Sequence, residues 1–279
     1  MGEEKIFNGA VRITEKKRVC DETVSIRMEP LRGSMPRPMP GQFGMLTLKA
    51  PGWEIPRQRP FSFSGPDEMT VRVAYADKSG ERVPGPVSSY IVNGLNEGDS
   101  ALLRGPLGNS FSGFNLDADF FYLIGGGCGI PPLYYFAREL RGSGKKFVIM
   151  NGARTRGSLV MADDLYVITA AEEGGPAAER GKVTDLMKRY VFEPGSVFCI
   201  CGPRPMLKPA AEEARKYSDP GMILISTEER MECGSGVCNK CAVGPYNSCT
   251  DGPVFRYSDI MDADFFVRRT AKSGKRVPV

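Results

Sequence analysis

Four cysteines stand close together near the end of the chain, in the stretch ECGSGVCNKCAVGPYNSC (232–249). Cys233, Cys238, Cys241 and Cys249 give the spacing C-x4-C-x2-C-x7-C. A C-x4-C-x2-C run followed by a later cysteine is typical of plant-type [2Fe–2S] sites, whereas zinc ribbons usually carry two separate C-x2-C pairs. The spacing therefore favours a [2Fe–2S] cluster, with zinc and free or disulfide-bonded thiols as the alternatives.

The composition excludes several kinds of chemistry. The 279 residues include no histidine, which excludes Ser-His-Asp hydrolysis, Cys-His proteolysis and His-ligated zinc catalysis and favours cofactor chemistry. The net charge is +4, with basic and acidic residues interleaved, so we expect no nucleic-acid partner. No apolar run approaches the ~18 residues that span a membrane, and the first residues lack a signal-peptide pattern. We therefore expect a cytoplasmic protein with no membrane span, in which eight cysteines do not form a disulfide scaffold.

Two motifs in the first hundred residues could contact a cofactor that carries phosphate. In RPFSFS (59–64) the arginine offers a planar fork of donors suited to a pyrophosphate, although an ordinary barrel strand could have the same sequence. In GPVSSYI (85–91) a glycine and two serines precede an apolar stretch. This predicts a helix start whose free N–H groups could bind phosphate, or simply a capped helix.

Two later motifs follow apolar runs that predict buried parallel strands. LIGGGCGIPPL (123–133) puts glycines between a strand and a helix, so that the backbone could approach a dinucleotide pyrophosphate; a plain strand–helix turn is the alternative. ICGPRPM (200–206) also ends a strand, and ligands of open α/β sheets bind beyond the carboxyl ends of strands. Cys201 is therefore predicted to lie beside the ligand of the glycine turn, or else to be a buried structural cysteine.

These motifs require elements that position them. Short alternating runs broken by Pro and Gly predict an antiparallel β-barrel over residues 1–113. Buried-strand runs then alternate with helical patterns over 114–222, which predicts a doubly wound parallel sheet. Residues 223–279 show little periodicity and are predicted to form a small lobe held by the cysteines. The last twelve residues contain five basic residues and no acidic one, and we expect a solvated end, with a partner-docking arm as the alternative.

With these motifs in this order, the chain resembles the ferredoxin–NADP reductase superfamily and, within it, the electron-transfer subunits of dihydroorotate dehydrogenase. The resemblance is carried by RPFSFS, LLRGPLGNSF, GGGCGIPPL, CGPRPM and ECGSGVCNKC…CTDGPVF, and it covers nearly the whole chain. It implies FAD, a [2Fe–2S] cluster and NAD(P) as cofactors. It further implies an NAD(P)-linked oxidoreductase subunit that exchanges electrons with a separate catalytic subunit, in a hetero-oligomer that serves pyrimidine biosynthesis.

The resemblance also implies roles for individual residues. Arg59 would bind the FAD pyrophosphate, Phe61 would lie along the flavin, and Ser62 would place its hydroxyl near flavin N5. Cys201 would stand near the nicotinamide, where hydride passes to or from N5. The other implied contacts are Gly85 and Ser88 for the FAD pyrophosphate, Gly126, Gly127 and Gly129 for NAD(P), and Cys233, Cys238, Cys241 and Cys249 for the cluster.

Some features depart from the family pattern. TAAEEGGPAAERG (169–181) replaces a stretch that the family often has in its nucleotide domain, and Arg154 and Arg156 do not decide between NAD and NADP. The short gap before Cys249 is also similar to flavin/[2Fe–2S] subunits of soluble hydrogenases and anaerobic sulfite reductases, which form the alternative among enzymes. An alternative from another class is a non-enzymatic zinc- or nucleotide-binding protein on a reductase scaffold.

Overall fold

A computed structural model of the protein describes residues 6–78, 81–173, 178–266, 268–270 and 276–278. The strands are β1 (Phe7–Cys20), β2 (Thr23–Pro30), β3 (Phe43–Leu48), β4 (Arg57–Ser62), β5 (Glu68–Arg72), β6 (Tyr75–Lys78), β7 (Glu81–Pro84), β8 (Ser100–Leu107), β9 (Phe120–Gly126), β10 (Lys146–Ala153), β11 (Ile168–Ala171), β12 (Glu179–Arg180), β13 (Val197–Cys201), β14 (Ile223–Ser226), β15 (Ala242–Val243), β16 (Tyr246–Asn247), β17 (Val254–Arg256), β18 (Arg268–Thr270) and β19 (Arg276–Pro278). The helices are α1 (Pro86–Asn93), α2 (Ile130–Gly142), α3 (Val183–Arg189), α4 (Arg204–Ala214) and α5 (Tyr257–Ile260). Within the described ranges, none of the helices has the length and apolar character needed to cross a membrane.

Six strands form an antiparallel sheet in the order β4-β3-β8-β1-β2-β5. Alternate residues of these strands point to one buried face, as in β8, where Ala101 and Leu103 are buried between more exposed neighbours. The sheet curls over this core, and α1 packs against it through Val87 and Ile91. This half-barrel confirms the predicted antiparallel β-domain.

Seven strands form a second sheet in the order β12-β11-β10-β9-β13-β14-β17, in which only the pair β14–β17 is antiparallel. Helix α2 packs on one face against Leu123 and Cys199, while α3 and α4 pack on the other face against Tyr122 and Phe198. The chain runs from β9 outward to β12 and then returns to β13 on the other side of β9. The predicted doubly wound sheet is therefore confirmed, and its crevice lies beyond the carboxyl ends of β9 and β13.

The cysteines lie on an excursion between β14 and β17, here called the cysteine arm (residues 227–253). The arm leaves and returns at one place, because Ser226 pairs with Val254 in the ladder and the Thr227 N–H donates to the Pro253 carbonyl at 2.8 Å. The apolar side chains after the arm, such as Phe255 and Phe265, belong to the core of the α/β sheet. The arm is thus rooted in the edge of the second sheet. Of the basic tail, 268–270 and 276–278 pair as β18 and β19, and its other residues lie outside the described ranges.

Asn109, in the connection between the two sheets, ties that connection to the root of the arm. Its side-chain amide donates to the Val254 carbonyl at 2.7 Å and accepts from the Val254 N–H at 2.9 Å, as a paired strand would. Its own backbone N–H donates to the Gly252 carbonyl at 2.7 Å. With a further bond from the Asn109 amide to the Asp251 carbonyl at 3.0 Å, four hydrogen bonds fix the direction in which the arm leaves the sheet and reaches the half-barrel.

The two nucleotide motifs approach each other closely at two glycines of the first motif. A Cβ atom on Gly129 would lie 2.2 Å from the Cys201 carbonyl oxygen, and one on Gly126 would lie 2.4 Å from the Met206 sulfur. These two glycines let the turn after β9 and the turn after β13 pack directly against each other. No side chain fits between the two turns without moving them apart.

Replacing Gly129 with alanine should therefore destabilise the fold. We expect the free energy of unfolding of the flavin-free chain to fall by about 1–3 kcal/mol in urea titrations, as for other overpacked sites. Gly142→Ala is the matched control, because nothing lies within 4 Å of a Cβ at that helical position, and it should change stability by at most about 1 kcal/mol, in the stabilising direction. Equal stability of the two variants would contradict the close approach.

Candidate cofactor sites and metal centre

The four cysteines of the arm come together as two pairs. The Cys238 thiol lies close enough to the Cys233 thiol to shift its pKa, and the Cys249 thiol lies close enough to the Cys241 thiol to shift the pKa of Cys241. Two cysteines on each of two irons is the ligand set of a [2Fe–2S] cluster, so the pairing fits that cluster. In the described part of the chain, no three or more Cys, Asp or Glu side chains are placed to hold a single metal ion.

Backbone N–H groups of the arm point at the sulfur atoms. The Ser235 N–H donates to Cys233 Sγ at 3.4 Å, and the Gly236 N–H donates to Cys249 Sγ at 3.2 Å. Burial alone would raise the pKa of Cys233, but hydrogen bonds from the backbone of Ser235 and Cys238 lower it to about 6. The arm thus stabilises the thiolate form of Cys233, and the thiolate is the form that binds iron.

The inner pair of cysteines rests on the half-barrel. Cys241 and Cys249 are each only 2% exposed and form one apolar cluster with Phe43, Met45 and Leu107 of β3 and β8. Burial raises the pKa of Cys241 to about 12, with the Cys249 thiol adding to the shift. These two sulfurs are therefore placed for a metal centre on the flavin side of the arm.

Arg104 of β8 holds the outer part of the arm in the same place. Its guanidinium donates to the Cys233 carbonyl, and a Cβ on Gly234 would lie 2.8 Å from Arg104 Nη2 and 3.0 Å from Met45 Cγ. Gly234 has a φ of 63°, which favours glycine. Sequence reasoning missed Arg104, because nothing local links it to a loop 129 positions away.

The residues expected at FAD lie on the strand next to this contact. Arg59, Phe61 and Ser62 are on β4, and Ser62 pairs in register with Phe43 of β3, which contacts the inner cysteines. Burial and then the neighbouring charge of Arg230 lower the pKa of Arg59. Such a crowded cation suits an anionic group, and the structure brings the predicted flavin motif to within one strand of the cysteines.

Gly85 and Ser88 begin α1, as the sequence predicts. Gly85 is the N-cap residue and Pro86 occupies the first turn. The Ser88 hydroxyl accepts from the Ala74 N–H at 2.9 Å and donates to the Gly85 carbonyl at 3.2 Å, so it holds the helix start in place. The group that α1 offers to a phosphate is therefore the free backbone N–H of its first turn.

The nucleotide turn meets the half-barrel at Arg72 of β5. Gly127 has a φ of 57°, and a Cβ at that position would lie 3.5 Å from Arg72 Nη1. The same guanidinium donates to the Ser158 carbonyl and lies 3.5 Å from the Cys20 sulfur. Arg72 was not predicted as a site residue, yet it joins the flavin domain to the turn that contains Gly126, Gly127 and Gly129.

Cys201 lies at the end of β13 and is 8% exposed. Burial raises its pKa to about 12, so it is a neutral thiol. Close by, Cys128 and Glu228 are accessible to solvent but crowded, and burial raises the pKa of both. The predicted nicotinamide region thus contains thiol and carboxyl groups whose pKa values are raised by burial, and Glu228 is a residue that the sequence reasoning missed.

A buried ion pair connects the predicted nicotinamide region to the arm. Arg204, at the start of α4, lies 2.6 Å from the Glu229 carboxylate, with side chains 9% and 2% exposed. The Arg204 guanidinium also lies 4.3 Å from the centre of the Phe265 ring. The pair fixes the second nucleotide motif against the first residues of the arm.

Comparison with known proteins places this arrangement in a family. The model of the iron–sulfur cluster binding domain of dihydroorotate dehydrogenase B matches residues 228–261. The probable dihydroorotate dehydrogenase B (NAD(+)), electron transfer subunit of Thermococcus kodakarensis is 37% identical over 221 residues, covering 77% of this chain and 84% of the relative. This chain belongs to that family. The Listeria monocytogenes subunit is 32% identical over 245 residues, covering 79% of this chain and 87% of its own length, and the resemblance read from the motifs is confirmed.

Solved structures of other proteins show the same fold. The structure of an NADH-dependent reduced ferredoxin-NADP oxidoreductase matches with a TM-score of 0.69 and 25% identity, over 95% of this chain and 92% of that one. A ferredoxin NADP+ reductase from Neisseria gonorrhoeae matches with a TM-score of 0.63 and 17% identity, over 80% of this chain and 98% of that one. The fold of this dihydroorotate dehydrogenase B family member is thus that of ferredoxin–NADP reductases, as predicted.

Gly234→Ala should reduce iron binding, because the added methyl group pushes the arm away from Arg104 and Met45. We expect the iron and labile sulfide content of anaerobically purified chain to fall by about half or more. Gly33→Ala is the matched control, since Gly33 has a similar φ of 73° but nothing within 4 Å of its Cβ position. Equal iron content in the two variants would show that the close contact of Gly234 with Arg104 and Met45 does not affect iron binding.

Proposed function

We propose that this chain is the electron transfer subunit of a dihydroorotate dehydrogenase. It exchanges electrons between NAD(P)(H), FAD, one [2Fe–2S] cluster and a separate catalytic subunit that acts on dihydroorotate. The observation that carries the proposal is that Cys241 and Cys249 are buried against β3. Strand β3 pairs with β4, which contains the predicted flavin motif. The names of the relatives favour NAD over NADP.

Three groups of residues would hold the cofactors. The FAD pyrophosphate would lie between Arg59 and the first turn of α1 at Gly85 and Ser88. NAD(P) would bind at Gly126, Gly127 and Gly129, and the four cysteines of the arm would bind the cluster. When bound, FAD and the cluster supply the exchange between two-electron hydride chemistry and one-electron transfer.

The residues of the chain contribute positioning and electrostatics. The first turn of α1 and the Arg59 guanidinium supply positive charge for phosphate. The neutral Cys201 thiol adds no negative charge beside the nicotinamide, and burial raises the pKa of the neighbouring Glu228 carboxyl. Phe43, Met45 and Leu107 exclude water from the inner cysteine pair.

The outer face of the arm supports contact with a partner. Val237, next to Cys238, is 82% exposed, and Cys233 and Cys238 are less buried than the inner pair. An apolar side chain that stands open beside a metal ligand suits a surface that another subunit covers. We propose a hetero-oligomer at this face, in the cytoplasm, where cysteine thiols stay reduced.

Cys238→Ala should separate the two halves of the activity. NADH should still reduce the flavin, measured as loss of flavin absorption under anaerobic conditions, while dihydroorotate-dependent reduction of NAD+ by the complex with the catalytic subunit falls to background. The physical reason is that one iron loses a ligand while the flavin and nucleotide motifs are untouched.

Cys20→Ser serves as the cysteine control and should keep both reactions, because Cys20 lies outside the arm and a serine hydroxyl can still accept the hydrogen bond from Arg72. A Cys238→Ala chain that still supports dihydroorotate oxidation at the wild-type rate would contradict the proposed route. A wild-type chain that is colourless and holds one zinc ion would overturn the proposed function and favour the non-enzymatic alternative.

A further inference from the structure

Arg104 differs from two other cations at the cysteine arm in the partner that it binds. Arg230 and Lys240 both pair with the Glu232 carboxylate, at 2.9 Å for Arg230. Arg104 forms no ion pair with any carboxylate of the described residues, and its guanidinium donates instead to the neutral Cys233 carbonyl. The positive charge of Arg104 is therefore not balanced by a neighbouring negative charge.

The Arg104 side chain lies under the arm, on the face of the half-barrel that contacts the inner cysteines. Arg104 and Met45 are register partners in the ladder between β8 and β3, so their side chains project from the same face of the sheet. Met45 packs with Cys241 and Cys249 in one apolar cluster. Arg104 thus binds the backbone of Cys233, in the outer pair, and stands beside a residue that covers the inner pair.

The position of the guanidinium limits how far solvent screens its charge. Arg104 is half-buried, and a Cβ on Gly234 would lie 2.8 Å from its Nη2 atom, so the arm covers the guanidinium closely. Charges in such partly buried places interact more strongly, and are screened less by salt, than charges on an exposed surface. An arginine also stays protonated throughout, which makes this charge permanent.

A positive charge at this place acts unequally on the two redox states of a [2Fe–2S] cluster held by the arm. Reduction transfers one electron from the reduced flavin to the cluster, while Arg104 neither gains nor loses a proton. The added negative charge is attracted by the guanidinium, so the reduced state is stabilised more than the oxidised state. Net charge and hydrogen bonding near the sulfurs are among the features that set the potentials of such clusters.

We propose that Arg104 raises the reduction potential of the cluster on the arm, and that its charge rather than its hydrogen bond to Cys233 has this effect. The inference rests on the proposed function, because it takes a [2Fe–2S] cluster as the bound centre. Arg104 contacts the backbone of a ligand residue and not a reacting atom, so it is a positioning residue. Its charge makes electron transfer from the reduced flavin to the cluster more favourable.

Two substitutions separate the charge of Arg104 from its hydrogen bond. Arg104→Gln keeps an N–H donor for the Cys233 carbonyl but removes the charge, whereas Arg104→Lys keeps both. The full-length chain is titrated anaerobically with dithionite and mediator dyes, and electron paramagnetic resonance reports the reduced cluster. We expect Arg104→Gln to lower the equilibrium constant for cluster reduction about tenfold, which is a reduction potential about 59 mV lower. Arg104→Lys should stay within about twofold of the wild type.

Lys17→Gln is the control for the same change in net charge. Lys17 is exposed on β1, nine residues from Asn8, the register partner of Arg104, which is about 30 Å along the strand. This variant should also stay within about twofold of the wild type, because solvent screens so distant a charge.

Iron and labile sulfide content shows whether each variant keeps its cluster. A lower potential in Arg104→Gln alone supports the inference. An unchanged potential in Arg104→Gln, an equal shift in Arg104→Lys or Lys17→Gln, or loss of the cluster from Arg104→Gln would overturn the inference and leave the proposed function in place. A wild-type chain that binds no [2Fe–2S] cluster would overturn both.

Discussion

The contact between the inner cysteines of the arm and strand β3 is the one on which the arrangement of the whole site depends. The arm is rooted at the edge of the second sheet, yet its inner cysteines are buried against Phe43 and Met45 of the first. If the arm held its metal centre away from β3, that centre would lie farther from the predicted flavin motif on β4. One apolar cluster therefore sets the separation between the two proposed cofactor sites, which belong to different parts of the chain.

Polar contacts fix the position of the arm on this apolar cluster. The Asn109 amide, the buried Arg204–Glu229 pair and the Arg104 guanidinium each bind the arm or its root. A buried ion pair contributes little net stability, because desolvation offsets its Coulomb attraction, but loss of one partner is costly. Such a pair acts here chiefly to hold the second nucleotide motif and the arm in one relative position.

Features with local causes could be predicted from the sequence. The strand–glycine–helix turn at 123–133 and the start of α1 after Gly85 each depend on neighbouring residues, and the structure has both. The apolar run LYVITA (165–170) predicts a buried strand from Leu165, but the strand begins at Ile168 and Tyr166 is 87% exposed. Arg72, Arg104 and Glu228 could not be predicted, because their positions result from contacts between distant parts of the chain. The glycine turn also has a second use that no motif reveals, since Gly126 and Gly129 let two strand ends touch.

Electron paramagnetic resonance of the anaerobic, full-length chain tests the central claim most directly. The chain is prepared with and without FAD, NADH is added to both, and the signal of the reduced [2Fe–2S] cluster is integrated. Since the inner cysteines lie one strand from the flavin motif, the FAD-loaded chain should give about one spin per chain within the time of flavin reduction, and the FAD-free chain should give none. A reduced cluster in the FAD-free chain, or an oxidised cluster beside reduced FAD, would contradict the account.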